Sequence, residues 1–588
     1  MIISFLKKQN NQRYILILAI FSFLALISIF CFLKKENLLL FFSKTKVSGT
    51  GLTVDRNLRD NVKKEDEKNY LDNNKFRDLS INFIKKVTES YFTKEKIEYP
   101  KELEIKADWK FEIKIYHNGE VKGEGKGEDS IVYLALEEAT KEALKNAKVK
   151  DLKKEDIKDM RFLATFFYPP QNFFSFLSCD EKAREVQDDL VITRNLTKDL
   201  ILEKIKEGKE FLLRAENQVE HGFYKKYDVL NDDFGERLYT VYSASIIYTL
   251  LKIYDFNKDQ KILQNIPQKV DFLLRMQSKD KENYGAFHYS YYFEKKEKEP
   301  RFVVGTAALS IFTLLDLYER LGDQKYLESS KLAGDWLIIM QREDGSMIPE
   351  KKQTLIGEWV ISEKESLLYN GQVLSALSRL YRVTGEEKYY AKAERIAQRF
   401  VEEIKKEGCY IGDDFRAKNP ISSAWALMSL LDFYKINKKE DIKDIILKCG
   451  DDLLKRQQQD LTNPLNYGVW TMAFSSSGNG WLSEVMVEME EFCKAEGGKN
   501  CEEFMRATLR AILWLFQNTY SKENTFFLKN PEKAIGGLFW NQNNKYVRTD
   551  SLCHALNAYV GVVNDVPSGI LISLPEKPLE EILNEIKK

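Results

Sequence analysis

Four short stretches of the sequence place carboxylates beside aromatic, arginine or histidine side chains, a combination suited to acid–base chemistry. Glycoside cleavage needs one protonated carboxylic acid and one ionised carboxylate across the bond. Epimerisation or elimination at a uronate needs a base that removes the proton beside the carboxyl group. The stretches are residues 357–359, 412–416, 480–484 and 548–554, and their catalytic candidates are Glu358, Asp413, Asp414, Glu484, Asp550 and His554.

Each candidate also has a purely structural interpretation. Asp550 stands where a helix is predicted to begin, so its carboxylate can cap that helix, and Glu484 falls in a first helical turn, where it favours the helix dipole. His554 follows Asp550 by one helical turn and lies on the same helical face. That pair is consistent with a general base and equally with a buried hydrogen bond.

Aromatic and polar side chains near the same stretches are candidates for substrate binding. Flat rings offer apolar faces with polar edges, which suits the two faces of a sugar ring. The same rings can instead cover the end of a hydrophobic core. The substrate-binding candidates are Trp359, Tyr369, Gln372, Trp470, Trp540 and Arg548.

These stretches belong to a repeat. Glycines followed by bulky residues occur at positions 222, 285, 345, 408, 468 and 537, about 60 residues apart, which is typical of repeat architectures. An amphipathic helix precedes most of these glycines, and three such helices end alike, in Met276-Gln277, Met340-Gln341 and Arg456-Gln457. A long polar and aromatic loop follows each glycine, and a more apolar helix comes next.

The alternation predicts twelve helices in six hairpins over residues 195–565. Connections at one end are short and polar, which makes neighbouring helices antiparallel, whereas the long loops gather at the other end, where function tends to lie. The helix after each glycine is less charged and richer in small residues, as in Tyr242–Ser245 and Ser422–Ala426. Such helices are expected to be buried.

We therefore predict a mainly α fold: an (α/α)6 toroid with six inner and six outer helices. An open solenoid is the alternative for a tandem array of helix pairs. All inner helices would begin at the long-loop end. Their positive dipole ends would favour an anionic or hydroxyl-rich ligand there.

Two segments carry a resemblance to a known superfamily. Leu368–Leu377 and Tyr381–Tyr389 resemble hairpins of the six-hairpin glycosidase-like superfamily, and are similar to the C-terminal toroid of glucuronyl epimerases. Residues 317–327 repeat part of the pattern, and the resemblance extends over the whole toroid. It implies the fold rather than the reaction, because the superfamily includes hydrolases, lyases, epimerases and proteins without enzymatic activity.

The N-terminus predicts a membrane anchor. Residues 14–33 form an uncharged apolar run long enough for a membrane-spanning helix, and no signal-peptide cleavage site follows it. Basic residues within 1–13 favour a cytoplasmic N-terminus. We predict a single-pass membrane protein with an extracytoplasmic body, a polar linker at 34–75 and a C-terminal tail at 566–588.

Residues 76–190 predict a small α/β domain. Phe111–Ile115 alternates like a strand, His117–Glu120 is a hairpin signal, and the glycine-rich stretch Val121–Gly127 precedes a helix. This order resembles the AMME-syndrome candidate protein family. That family has an Arg-Gly-Cys-Ile-Gly core, which Lys122–Gly125 replaces here without a cysteine, so the resemblance implies a structural or docking role.

Composition excludes other classes of protein. The formal net charge is +0, so no overall field favours nucleic acid. The seven cysteines and four histidines show no zinc-ligand spacing, and no motif predicts a metal or an organic cofactor. Cys493 and Cys501 flank a predicted turn and form either a disulfide or two free thiols.

Together these features predict a membrane-anchored carbohydrate-active protein acting on a polysaccharide or oligosaccharide, for example one that contains uronate. It would be either a glycoside hydrolase or a uronate epimerase or lyase. A non-catalytic envelope protein that binds glycan or peptide is the second hypothesis, and a toroid resembling terpenoid cyclases is the third. Two carboxyl groups across a cleft would favour hydrolysis, whereas a tyrosine or histidine beside an arginine would favour a lyase.

Overall fold

The computed structural model describes residues 73–150, 152–167, 184–473, 475–542 and 544–575. The chain divides into two compact units, Met1–Asp188 and Asp189–Lys588. Within the described ranges no helix is long and apolar enough to cross a membrane. The predicted anchor at residues 14–33 lies outside those ranges, as does most of the predicted linker, so both stay predictions.

The first unit is an antiparallel sheet of four strands in the order β2-β1-β3-β4, accompanied by helices. The β1–β2 hairpin turns at Asn118 and Gly119, which both have positive φ, and this confirms the hairpin predicted there. The elements are α1 Asn73–Thr93, β1 Lys106–His117, β2 Glu120–Ile131, α2 Val132–Leu144, α3 Ala147–Lys150, β3 Met160–Phe167 and β4 Arg184–Gln187.

The glycine-rich stretch lies within β2, where it lets α2 approach the sheet. A Cβ atom on Gly123, Gly125 or Gly127 would lie only 2.2–2.3 Å from a backbone oxygen of α2. The three oxygens belong to alanines at four-residue spacing. The Cα atoms of these glycines therefore lie directly against the backbone of α2. This close packing accounts for the glycine spacing.

The second unit is built from long helices that alternate between two layers. The inner helices are α5 Thr240–Asn257, α7 Val304–Leu321, α9 Leu367–Thr384, α11 Pro420–Asn437, α13 Ser476–Ala495 and α16 Thr549–Val563. The outer helices are α4 Lys198–Arg214, α6 Gln260–Arg275, α8 Gln324–Ile339, α10 Glu387–Glu407, α12 Glu440–Leu454 and α14 Glu502–Gln517, and a short helix, α15 Pro531–Ala534, lies in the last long loop.

The inner helices close into a ring. Each packs against the next along the chain, and α16 packs back against α5, while every outer helix packs on the inner helix that follows or precedes it. Buried residues surround α11 on all sides, whereas α6 buries a single face. The closed order confirms the predicted (α/α)6 toroid and rules out an open solenoid.

Short strands in the long loops join neighbouring repeats at one end of the toroid. Strand β7 pairs with β8 of the next repeat, β10 pairs with β11, and β14 of the last repeat pairs with β6 of the first. The strands of the long loops are β6 Lys226–Tyr227, β7 Arg237–Tyr239, β8 Ser290–Tyr292, β9 Glu297–Lys298, β10 Arg301–Val303, β11 Glu350–Gln353, β12 Trp359–Ile361, β13 Phe539–Asn541 and β14 Asn544–Arg548. Two further strands, β5 Asn195–Thr197 and β15 Ile570–Ser573, pair with each other next to the start of the first outer helix.

Two disulfides lie in the second unit. Cys493–Cys501 spans the turn between α13 and α14, which confirms the bonded alternative, with Cα atoms 5.5 Å apart. Cys409–Cys449 joins the loop after α10 to α12, with Cα atoms 5.1 Å apart. No sequence pattern predicts this second pair, because the two cysteines meet only once the repeats are stacked.

The repeated glutamines join each repeat to its neighbour. The Nε2 group of Gln457 donates to Gly468 O in its own loop at 2.9 Å and to Ala507 O of the next outer helix at 2.8 Å. Gln277 and Gln341 each bridge their own loop and the next outer helix in the same way. The glutamine at the end of an outer helix is therefore an inter-repeat joint.

The loop glycines make the other half of this joint. A Cβ atom on Gly285 or Gly468 would lie 2.1 Å from a backbone oxygen of the next outer helix, and both residues have positive φ. Gly536 meets α4 in the same way, with Glu207 O at 2.3 Å. That last contact connects the sixth repeat to the first. Only glycine fits such a position, which explains the repeat glycines at 285 and 468. In the last repeat the contact is made by Gly536 and not by the predicted Gly537, and Gly408 has no neighbouring atom within 4 Å.

Replacing Gln457 by methionine should destabilise the protein without affecting surface charge. The substitution leaves two buried backbone oxygens and Arg510 Nε, which donates to Gln457 Oε1 at 2.8 Å, without their partner. Each unsatisfied buried group costs about 1–3 kcal/mol. Thermal unfolding should show a clear fall in Tm for Gln457→Met, while Gln458→Met, on the next, less buried side chain, should leave Tm nearly unchanged.

Candidate functional site

Four side chains form one layer inside the ring, near the long-loop end. Trp425 and Trp481 stack with ring centroids 3.8 Å apart and planes 15° apart. The ring of His554 meets Trp481 edge-on at 5.2 Å. Gln372, Trp425, Trp481 and His554 all occupy the sixth position of consecutive inner helices. We refer to these four residues as the floor layer.

His554 is oriented by a buried carboxylate. Its Nδ1 lies 2.8 Å from Glu484 Oε2, and Asn557 Nδ2 donates to Glu484 Oε1 at 2.8 Å. Burial raises the pKa of Glu484, but the His554 hydrogen bond and the Lys252 charge outweigh it and leave the pKa below its usual value. An ionised carboxylate only accepts hydrogen bonds, so Nδ1 carries a proton, and in the neutral imidazole Nε2 is then the nitrogen with the lone pair.

A second ionised group lies nearer the long-loop end. Arg548 donates to both carboxylate oxygens of Asp550, at 2.9 and 2.7 Å, and Ser477 Oγ donates to Oδ2 at 3.0 Å. Burial raises the pKa of Asp550, yet the Arg548 guanidinium holds it below its usual value. Asp550 is therefore an ionised partner of Arg548 in the first turn of α16, and it cannot supply a proton at neutral pH.

Arg548 also contacts a phenol. Its Nη2 donates to Tyr242 Oη at 2.9 Å. Burial raises the pKa of Tyr242 well above its usual value, and the negative charge of Asp550 adds to the effect. Tyr242 consequently stays protonated and can act as a proton donor. A tyrosine beside an arginine is the arrangement that the sequence analysis associates with a lyase rather than a hydrolase.

Lys225 is a cation without a counter-ion. Its Nζ lies 5.7 Å from the ring centroid of Tyr239 and 5.8 Å from that of Tyr242, yet it makes no hydrogen bond or ion pair with any residue of the described ranges. The side chain is partly buried, and burial together with the nearby Arg548 lowers the pKa of Lys225. The site therefore contains an ammonium group that forms no ion pair with the described residues, although the charge of Asp550 partly opposes the lowering of its pKa.

More phenols and guanidinium groups continue from Lys225 along the long-loop side. The rings of Tyr239 and Tyr289 meet edge-on at 5.6 Å. Arg237 lies 5.5 Å from the centroid of Tyr239, and Arg301 lies 4.6 Å from that of Tyr289. These side chains are partly exposed, and burial raises the pKa of both tyrosines. Arg301 Nε donates to Glu350 Oε2 at 2.8 Å, and Arg237 Nη1 lies 3.7 Å from Glu299 Oε2, so the group forms a wall of phenols and ion-paired arginines.

The structure thus brings together five of the predicted site residues. About a fifth of the His554 and Asp550 side chains is exposed, 22% and 19% respectively, so both remain accessible. The partly buried Tyr369 is close enough to the wall to influence the pKa of Tyr289. We refer to the whole group as the axial cluster: the floor layer with Glu484, Asp550, Arg548, Tyr242 and Lys225. Its predicted members are Glu484, Asp550, His554, Arg548 and Gln372.

Glu358 and its neighbour lie away from this cluster. Glu358 is exposed in the turn between β11 and β12, where its backbone N–H donates to Thr354 Oγ1. Trp359 begins β12 and packs against Phe302, with centroids 5.2 Å apart. Both residues belong to a surface hairpin, away from the Glu484, His554 and Asp550 side chains.

Asp413 and Asp414 cap a helix instead of facing the axis. Asp413 Oδ2 accepts a hydrogen bond from Leu367 N, at the start of α9, and Oδ1 accepts from Phe415 N and Arg416 N. Asp414 accepts from Glu365 N at 2.8 Å. The predicted pair of adjacent acids therefore fixes the loop before an inner helix.

The remaining two tryptophans have different surroundings. Trp470 is fully buried, and its indole N–H donates to Leu453 O at 3.0 Å, so it belongs to the core and has no surface to offer a substrate. Trp540 lies beside the axial cluster, since the Arg548 guanidinium is 4.4 Å from its ring centroid. Trp540 also stacks on Tyr546 with planes 16° apart.

Three residues of this site lie outside the four stretches that the sequence pointed to. Lys225 follows a repeat glycine by three positions, and its lack of an ion pair with the described residues becomes visible only when α16 is brought next to α5. Tyr242 and Trp425 lie in inner helices, where an aromatic residue is expected to be core. The sequence signal that could have identified Tyr242 and Trp425 is their early position on an inner helix, near the long-loop end.

Two buried polar atoms of the floor layer find no partner among the described residues. They are Trp481 Nε1, a donor, and Gln372 Oε1, an acceptor. Their side chains are 4% and 7% exposed. Buried polar groups are nearly always hydrogen-bonded, so these two atoms indicate a ligand that both accepts and donates.

No protein-family profile and no curated protein sequence matches the chain significantly. Solved structures do. Cellobiose 2-epimerase from Bacillus thermoamylovorans has 14% identity and a TM-score of 0.49, covering 63% of this chain and 99% of that one. A D-mannose isomerase has 13% identity and a TM-score of 0.47, covering 63% and 98%. The α-1,6-mannanase GH76A of Salegentibacter sp. HEL1_6 has 12% identity and a TM-score of 0.45, covering 61% and 98%. The toroid itself rests on the ring of helix contacts, not on these likenesses.

Proposed function

We propose that this protein is a carbohydrate-active enzyme of the six-hairpin glycosidase-like superfamily. Its substrate would be a glycan that contains uronic acid residues. The observation that carries this proposal is Lys225, an ammonium of the axial cluster that forms no ion pair with any described residue. Desolvating an unpaired charge is costly, and the carboxylate of a uronate would supply the missing partner.

The floor layer supports a sugar as the ligand. A hydroxyl group both donates and accepts hydrogen bonds, so the several hydroxyls of a sugar are suited to accept from Trp481 Nε1 and to donate to Gln372 Oε1. Uronic acid residues combine such hydroxyls with one carboxylate. The hydroxyls would bind the unsatisfied polar atoms of the floor layer, and the carboxylate would bind Lys225.

The reaction we propose is proton abstraction at C5 of the uronate. His554 Nε2, oriented through Glu484, takes the C5 proton, and the electron pair of that bond is delocalised into the carboxylate held by Lys225. Tyr242, which stays protonated, is placed to return a proton to C5 or to the leaving O4. Return to C5 gives epimerisation, and protonation of O4 with loss of that oxygen gives elimination.

Hydrolysis is less well supported. A glycoside hydrolase needs a carboxylic acid that is protonated near neutral pH, whereas the pKa values of Asp550 and Glu484 are both lowered. The carboxyl groups of Asp316 and Glu491 do have raised pKa values, but they lie towards the C-terminal ends of inner helices, at the short-turn end.

We further propose that the toroid is exported and anchored by residues 14–33, which lie outside the described ranges. The two disulfides support this location, because disulfides persist in oxidising compartments and are rare in the cytosol. The enzyme would then act on glycan at the outer face of the membrane. Residues 76–190 remain without an assigned role beyond their resemblance to the AMME-syndrome candidate protein family.

Replacing His554 by glutamine should abolish most of the turnover. Loss of a general base typically costs about 10²–10⁴-fold in rate, so kcat should fall by that amount while KM changes little. Glu484→Gln should also lower kcat, and Glu358→Gln, on the surface hairpin, is the matched control that should not.

The assay for these variants uses uronate-containing oligosaccharides in D2O. Deuterium at C5 identifies epimerisation, and an unsaturated uronate identifies elimination. New reducing ends that appear without an equal amount of unsaturated uronate would contradict the proposed reaction. Binding without any turnover would instead favour the non-catalytic hypothesis.

Replacing Lys225 by alanine should weaken the binding of acidic oligosaccharides and spare neutral ones. A charge-assisted hydrogen bond contributes about 1.5–3 kcal/mol, which is roughly a tenfold to hundredfold rise in KM. Lys225→Arg should retain most of the affinity. Equal losses for acidic and neutral oligosaccharides would show that Lys225 does not recognise the carboxylate.

The same residue predicts a pH dependence. Lys225 binds as an ammonium, so affinity should be full at neutral pH and should decline as pH rises through its pKa. Because that pKa is lowered in the free protein, the decline should begin at a lower pH than for an ordinary lysine. It should disappear in Lys225→Arg, whose guanidinium does not lose its proton.

Export should be measurable on intact cells. Protease added outside should digest the body and leave a short N-terminal fragment that contains residues 14–33. A cytoplasmic marker protein is the control for cell integrity. Full protection of the body in intact cells, with digestion after lysis, would contradict the proposed location.

A further inference from the structure

A cavity of about 290 Å³ opens at the short-turn end of the toroid, opposite the long loops. It lies between the C-terminal halves of α5, α13 and α16. Glu484 and Asn557 line its inner part and are only 8% and 7% exposed. The other charged lining residues are Lys252, Asp255, Glu488 and Glu491.

Negative charge exceeds positive charge in this cavity. Its one lining cation, Lys252, lies 3.7 Å from Glu484 and is matched by it. Glu488 is contacted by Lys435 at 3.3 Å, and Asp255 pairs with Arg320. Glu491, at the mouth, makes no hydrogen bond or ion pair with the described chain, and burial and Glu488 raise its pKa.

Asn557 gives independent evidence that a donor is missing. Its Nδ2 donates to Glu484, but its buried Oδ1 accepts no hydrogen bond from any described residue. A buried carbonyl without a donor costs about 1–3 kcal/mol. The ligand that would satisfy Asn557 must therefore carry an N–H or O–H group.

The helix ends favour the same kind of ligand. Three inner helices finish beside the cavity, and the C-terminal end of a helix carries a partial negative charge that stabilises cations. Carboxylates, an unpaired carbonyl and helix C-termini thus all favour a ligand that is positively charged and donates hydrogen bonds.

The lining does not suit a metal ion. Among the described residues no group of three or more His, Cys, Asp or Glu side chains is arranged to hold one. The cavity volume is also several times the roughly 30 Å³ that a water molecule occupies in the liquid. Both facts favour an organic cation over an inorganic one.

We propose that this cavity is a binding site for a small organic cation of the diamine or polyamine class. One ammonium group would lie against Asn557 Oδ1 at the inner end, and the other would lie at the mouth between Glu488 and Glu491. The site is separate from the axial cluster but shares Glu484 with it. Occupancy would therefore change the charge next to the carboxylate that orients His554.

Calorimetric titration of the full-length chain with putrescine tests the proposal directly. We expect saturable binding that weakens at least tenfold in the double variant Glu488→Gln/Glu491→Gln and also in Asn557→Leu. The matched control is Asp441→Asn/Asp444→Asn, an exposed pair of acids with the same three-residue spacing on outer helix α12, which should bind as the unmodified protein does.

Three outcomes would overturn the proposal. One is the absence of saturable binding at millimolar putrescine. Another is an equal loss of affinity in both double variants, which would show general attraction to acidic surface. The third is displacement of putrescine by calcium chloride at matched ionic strength, which would identify an inorganic cation site. None of these measurements depends on enzymatic turnover, so they separate this site from the proposed function.

Discussion

The joint between a glutamine, a glycine and the next outer helix is the contact on which the toroid depends. Each glutamine amide satisfies one carbonyl of its own loop and one of the neighbouring repeat, and each glycine lets those two backbones approach. Because Gly536 makes the same approach to α4, the last repeat closes on the first. A helical hairpin cannot bury its inner helix alone, so stability comes from this stacking of neighbours.

The closed ring also creates the chemistry of the axial cluster. Its members come from repeats far apart in the chain: Glu484 lies on α13, His554 on α16, and Lys225 and Tyr242 come from the first repeat. His554 meets Glu484, and Tyr242 meets Arg548, only because different repeats are brought together. Their pKa shifts follow from burial and from charges that only the ring brings together. The site is consequently a property of closure and not of any single motif.

The sequence predicted the fold better than it predicted the site. Period, glycine spacing and the contrast between charged and apolar helices were sufficient for twelve helices and their closure, because these signals are local and repeat along the chain. Glu484, Asp550 and His554 could be proposed from the sequence because they stand near helix starts, and their catalytic role stays a prediction. Asp413 and Trp470 were misleading, since an acid that caps a neighbouring loop and a buried ring look the same in sequence as functional ones. Lys225 was not predicted, because no local sequence pattern shows that a lysine will lack an ion pair in the described structure.

The two ends of the toroid unit meet in a small sheet of their own. Strand β15 pairs with β5 just before the first outer helix, and Leu574 N donates to Arg194 O at 2.8 Å. The packing of the repeats therefore does not depend on which repeat begins the chain. Ends that lie together on a surface generally tolerate circular permutation. A toroid whose ends are joined by a short linker, and which is opened at the Thr384–Glu387 turn, would keep every inter-repeat contact. The ring of helices therefore does not require any particular repeat to come first in the chain.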